Sequence, residues 1–231
     1  IRSITYMKRM TNIKLLLESD FVAHHKVHSV VYADCITTDC EKFDLDDMPS
    51  PIQIIPFGEG KVSFVNDTYG ELEIVAYEKF IDQCKKPSSF LNGRMKCDYL
   101  IAHKDVLGYA MLIELTSVLG LVENLSKPVD KFKGGKYEKS EHQLANSLKD
   151  LISVASIKTY LESKTHRVCL MAYSVSPHTD SEYLKKHPFE RYLQIESKTT
   201  GEDGALMESS AINALGFEYR RINHNYAFSL L

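Results

Sequence analysis

Tryptophan is absent from the 231 residues, and proline and glycine are sparse, at 7 and 11. That scarcity excludes collagen-like, proline-rich and glycine-rich low-complexity chains. Long apolar runs are missing too. The most apolar stretch, 109–113, is interrupted by Glu114, far short of the roughly 18–20 residues a membrane span needs. Residues 1–12 carry Arg2, Lys8 and Arg9 without the apolar stretch of a signal peptide. Neither sign of charge dominates: 28 Lys+Arg stand against 31 Asp+Glu, a net charge of -3. This excludes a polycationic binder and leaves room for a local basic face. Cysteine is limited to Cys35, Cys40, Cys84, Cys97 and Cys169. An odd, scattered set does not make a disulfide framework and suits a reducing, cytoplasmic setting. Cys35 and Cys40 lie near His24, His25 and His28, but no second matching pair completes a four-ligand zinc site. P-loop, G-x-G-x-x-G, H-E-x-x-H and G-x-S-x-G motifs do not occur, so nothing in the chain marks those nucleotide-binding, zinc-protease or serine-hydrolase classes.

What is present is the composition of a globular domain, with 44% hydrophobic and 26% charged residues. The patterning predicts a short helix over 10–21, strands at 27–36, 52–56 and 61–65, and an acidic loop over 37–50. Residues 71–86 read as a helix, because Leu72, Val75, Ala76, Phe80 and Cys84 recur at three- and four-residue steps. Segments 96–102 and 109–117 read as strands of an antiparallel hairpin. A lysine-rich loop over 118–136 leads into a long helix, 137–163. Residues 167–175 form a fully apolar strand, as a central sheet strand would. A loop at 178–204, a helix at 205–215 and a strand at 217–229 complete the chain. The expectation is a mixed α/β domain: a strand-rich extension over 1–70, a core over 71–175, and a C-terminal extension over 176–231 packed on the same domain.

Two carboxylates interrupt otherwise apolar strands: Asp98 in KCDYLIA and Glu114 in AMLIELTS. A carboxylate in a buried strand is costly unless something pairs with it, and a metal ion is one such partner. Asp98 followed across a hairpin by Glu114-Leu115-Thr116 resembles the core of the PD-(D/E)XK nuclease superfamily, whose restriction-endonuclease-like fold sets helices around a mixed central sheet. The resemblance covers about 71–175. It implies Mg²⁺- or Mn²⁺-dependent hydrolysis of nucleic-acid phosphodiesters, DNA ahead of RNA, and leaves room for a homodimer. By the same resemblance Asp98, Glu114 and the Leu115 carbonyl would hold the metal. Glu78 stands where some members carry a further acid, and Gln143 falls early in the long helix, like the glutamine of the exonuclease-like branch. Thr116 occupies the position where the family usually has lysine. Thr cannot supply a positive charge, so the chain is also compatible with a silent, binding-only copy, or with a substitute among Lys79, Lys96, Lys133 and Lys136.

Downstream of Glu114, Lys127, Lys131, Lys133, Lys136 and Lys139 cluster around Gly134-Gly135. Lysines contact phosphates and glycines admit close backbone approach, so this stretch is a candidate nucleic-acid surface. Arg220, Arg221 and His224 are candidates for a second basic edge.

Overall fold

The structure, a computed structural model, describes residues 12–47, 51–67, 70–84, 95–104, 107–119, 122–176 and 204–230. The chain opens on α1, built from Ile13–Leu16, a π turn Leu17–Phe21 and a last turn Val22–His24. Asn12 caps it, its side chain accepting from Leu15 N–H at 2.8 Å. Then follow β1 (Cys35–Thr38), β2 (Lys42–Leu45), β3 (Val62–Val65), β4 (Leu72–Ala76), α2 (Tyr77–Gln83), β5 (Tyr99–His103) and β6 (Tyr109–Leu119). A 3₁₀ turn, Val122–Ser126, leads to α3 (Gly135–Ile152), α4 (Ala155–Glu162) and β7 (His166–Ser176). β8 (Ala205–Met207), α5 (Ser210–Asn213), β9 (Glu218–Asn223) and β10 (Ala227–Ser229) end the chain.

The central sheet is seven-stranded and mixed, in the order β1-β4-β5-β6-β7-β9-β8. β4, β5 and β6 form an antiparallel meander, and β7 returns parallel to β6 after the α3–α4 crossover. β9 lies parallel to β7. A second sheet, β10-β3-β2, joins strands from opposite ends of the chain. Alternation along each strand separates two cores. Ala110 and Leu112 of β6 face a helical layer with Leu144 and Leu148 of α3, Ile157 and Leu161 of α4, and Ile13, Leu17 and Phe21 of α1. Tyr109, Met111 and Ile113 face the small sheet with Phe43, Phe64 and Phe228. The molecule is therefore three layers, with the large mixed sheet in the middle.

Several elements differ from the sequence expectation. Residues 71–86 are not one helix: β4 comes first and α2 follows. All five residues of β4 are buried, because both faces are covered. A strand buried on both sides reads as a continuous apolar run, which periodicity cannot separate from a helix. Among the described residues the helix before β4 is α1, and β1, β2 and β3 lie between them. Residues 27–34 form no strand, and only 35–38 do; the acidic stretch 37–50 contains β2. At 52–56 there is only an isolated bridge, Asp44 to Ile55. The long helix breaks at Ser153-Val154, where Val154 turns extended (φ -92°, ψ 112°) and Ser153 Oγ donates to Asp150 O at 2.7 Å. The expected helix 205–215 is strand β8 and the single turn α5, and the expected strand 217–229 divides into β9 and β10, in different sheets. All but Gly204 of the loop expected at 178–204 lies outside the described residues.

Candidate functional site

The meander brings three acids to one end of three adjacent strands. β5 starts at Tyr99, opposite Ile113 of β6. One residue earlier, Asp98 comes level with Glu114, and Asp98 N–H donates to Ile113 O at 2.9 Å. The Leu115 N–H donates to Asp98 Oδ2 at 2.6 Å, which ties the carboxylate across the hairpin. β4 ends at Ala76, opposite Tyr99, so α2 begins at the same level. Its Glu78 N–H donates to Asp98 O at 3.2 Å. Glu114 continues the alternation of Ala110 and Leu112 toward the helical layer. Above it, α3 places Gln143, whose Nε2 donates to Lys96 O at 2.9 Å and whose side chain also stabilises the charged form of Glu114.

Glu114 is only 6% exposed, and its Oε2 has no hydrogen-bond partner among the described residues. A buried carboxylate oxygen with nothing to accept from is unusual and costly. Burial, then the charges of Asp98 and Glu78, push the Glu114 carboxyl well above the usual range. Burial likewise raises Asp98 to about 7, with Glu78 and Asp47 adding and the Leu115 N–H and Lys61 opposing. Glu78 is raised by burial, and by Asp82 and Asp47, against Lys96. Burial thus raises all three acids, Glu78 adds to Asp98, and both add to Glu114, an arrangement that a bound divalent cation would relieve. Among the described residues no group of three or more His, Cys, Asp and Glu is placed to hold a metal ion. Asp98, Glu114 and the Leu115 carbonyl would supply an open set of hard oxygen donors, to be completed by water, and the unpartnered Oε2 fits such a role.

The cations around the acids overlap the expected set only in part: Lys96 and Lys79 belong to it, Lys139 and Lys61 do not. Lys96 acts most strongly on Glu78 and is ion-paired to Asp82. Lys139 acts weakly on Glu114 and sits 3.7 Å from Asp130. Lys61, from the turn before β3, acts on Asp98 and lies 3.4 Å from Asp47. Lys79 contributes weakly to Glu78, whereas Lys133 and Lys136 are not among the charges that act on these acids. Asp47 and Lys61 were missed in the sequence because 51 and 37 residues separate them from Asp98, and only the packing of the small sheet on the large one brings them near. Thr116 is buried on the same face as Glu114 and pairs in register with Tyr173 of β7.

Of the lysine-rich stretch, Lys127, Lys131 and Lys133 are exposed, and Lys136 and Lys139 are half-buried on the first turns of α3. Gly135 holds this loop in place: its φ is +69°, and a Cβ there would stand 2.5 Å from Leu125 O. Arg220 and Arg221 do not share an edge. Arg220 faces the small-sheet side, with Nε 2.8 Å from Glu218, and helps to line a cavity of about 400 Å³ at the starts of β6, β7 and β9. Arg221 faces the helical side, among tyrosines.

Comparison of the chain with protein-family models, with curated proteins and with solved structures gives no match.

Proposed function

We propose that the chain is a metal-dependent nuclease that hydrolyses phosphodiesters of nucleic acid, DNA ahead of RNA. The observation that carries this reading is the buried, unpartnered Glu114 Oε2 level with Asp98 on adjacent strands. The element order supports it: an antiparallel meander, a helical crossover and a strand parallel to the meander's last, as in the PD-(D/E)XK core that Asp98 and Glu114-Leu115-Thr116 resemble. In this reading Asp98, Glu114 and the Leu115 carbonyl would hold Mg²⁺ or Mn²⁺, with Glu78 as a further carboxylate at the same end of the meander. When bound, the ion would polarise the scissile phosphate and acidify a water. Gln143 orients Glu114 from α3, and the Leu115 N–H fixes Asp98. Lys139, whose charge reaches Glu114, supplies the positive charge that Thr116 cannot. Lys127, Lys131, Lys133 and Lys136 extend a phosphate-facing surface from the same loop.

The test is cleavage of plasmid, linear DNA and RNA with Mg²⁺ or Mn²⁺. Asp98→Ala and Glu114→Ala are each expected to lower the rate at least about a hundredfold, the scale of losing one preorganised charge interaction. Wild-type inactivity on every substrate, or mutants equal to wild type, would overturn the assignment. One observation favours a second reading, a catalytically silent module that binds nucleic acid or a protein: Thr116 stands in place of lysine. Calorimetric titration separates the two, since a silent module takes up no Mg²⁺ at millimolar concentration.

A further inference from the structure

β9 carries a second polar cluster on the same sheet face as Glu114. In the parallel register Glu114 pairs with Met171 and Met171 with Arg221; Thr116 pairs with Tyr173 and Tyr173 with Asn223. Arg221 therefore lies two strands from Glu114, about 10 Å across the sheet. Its guanidinium sits 4.1 Å from the centroid of the Tyr137 ring and 5.2 Å from that of Tyr219, and Nε donates to Tyr219 Oη at 3.1 Å. The Tyr137 ring in turn meets Tyr173 edge-on at 6.4 Å. No carboxylate pairs with Arg221 among the described residues. Glu218 is taken by Arg220 on the opposite face, and Glu141 accepts from Ser209 Oγ at 2.6 Å. Glu123 acts on Tyr137 only as a weak, distant charge.

Asn223 is 1% exposed, and its Nδ2 completes no hydrogen bond among the described residues. It lies near enough to the Tyr173 hydroxyl to favour the phenolate, yet burial still raises that phenol to about 12. A half-buried Arg221 without a carboxylate partner thus stands two residues from a buried amide whose side chain lies near the Tyr173 hydroxyl. A guanidinium left unmatched in this way is costly, and an oxyanion satisfies it. Aromatic faces hold the guanidinium in place while leaving its terminal N–H groups to donate.

We infer that Arg221, framed by Tyr137 and Tyr219, forms a phosphate-binding subsite for a backbone phosphodiester of nucleic acid next to the one at Asp98 and Glu114. The inference rests on the nuclease reading for its occupant and on β9 for its geometry. Arg221 here is a binding residue and takes no part in bond cleavage.

The experiment is fluorescence anisotropy of a labelled short duplex in EDTA, across a salt series, with thermal melts as a folding control. Arg221→Gln is expected to weaken binding roughly tenfold, as loss of one charge-assisted contact does, and to lower the salt slope by about 0.9. Arg221→Lys is expected to recover the slope and only part of the affinity, because the planar fork is lost. If Arg221→Gln binds with wild-type affinity and slope while Asp98→Ala still abolishes cleavage, the subsite is wrong and the nuclease reading stands. If wild type binds neither DNA nor RNA, the nucleic-acid occupant is overturned together with the nuclease reading. Titration with inorganic phosphate, read at the Arg221 Nε–Hε cross-peak, then decides the anion site itself: a shift supports it, and an unmoved cross-peak at millimolar phosphate removes it.

Discussion

Asp98 shows how little of a residue's role lies in its identity. As a free side chain it titrates near 4; here burial and the neighbouring acids Glu78 and Asp47 hold it at about 7. Its folded pKa is above its unfolded one, so the folded state binds more protons between those values, and stability falls as pH rises from about 4 through about 7. Asp98→Asn removes that penalty. In EDTA at pH 8 the variant is expected to melt above wild type, by about 2–4 °C for each kcal/mol recovered, and the gap should vanish at pH 4. Mg²⁺ is expected to raise the wild-type midpoint at pH 8 and much less at pH 5, where the carboxylates keep their protons. A pH-independent difference between the two proteins, read by differential scanning calorimetry, would contradict the electrostatic account. The pairing of Asp98 with Glu114 was legible in the sequence, because both interrupt apolar strands of one hairpin. The roles of Lys139, Lys61 and Asp47 were not, because no local pattern marks a charge that acts across the fold.

At the scale of elements, the loop into α3 decides where Lys136, Lys139 and Gln143 stand. Gly135 begins that helix at φ +69°, with carbonyls of residues 125 and 127 packed where a Cβ would be. Gly135→Ala must either move the loop or strain the backbone, at a cost of about 1–3 kcal/mol. The expected outcome is a lower urea midpoint and faster amide exchange in the first turns of α3. A variant with wild-type stability would show that the loop yields freely. Strand β4 carries the complementary lesson. Leu72, Ile74 and Ala76 face the small sheet and Val75 faces the helices, so an alternating strand mimics helical spacing once both faces are apolar. The hairpin β5–β6 and the buried strand β7 were readable because their lengths and turn signals left one interpretation. The Ser153-Val154 break, in contrast, follows from packing of α4 and carries no proline or glycine to announce it.

For the whole molecule, the small sheet ties the C-terminal strand to residues 42–65 and to the central sheet. β10 pairs parallel with β3, and Phe228, Phe64 and Phe43 join Leu72, Ile101 and Met111 in one core. Phe64 is fully buried and stacks on Phe43 with ring centroids 5.2 Å apart. Phe64→Ala is expected to cost about 3–5 kcal/mol. Because this core is shared with the central sheet, far-UV circular dichroism and tyrosine fluorescence should lose signal in one coincident transition. Two separated transitions would mean that the small sheet unfolds on its own.

By itself the sequence determined the α/β character, the antiparallel hairpin, the central strand 167–175 and the two acids that face each other across the hairpin. These follow from local alternation and from the cost of placing a charge in an apolar strand. Tertiary structure alone decided that 72–76 is a strand, that residues 42–45 and 62–65 share a second sheet with 227–229, that Lys61 and Asp47 act on Asp98 and Lys139 on Glu114, and that Arg221 stands two strands from Glu114. Contacts between residues tens of positions apart depend on how whole layers stack, and layer stacking leaves no periodic mark in the chain.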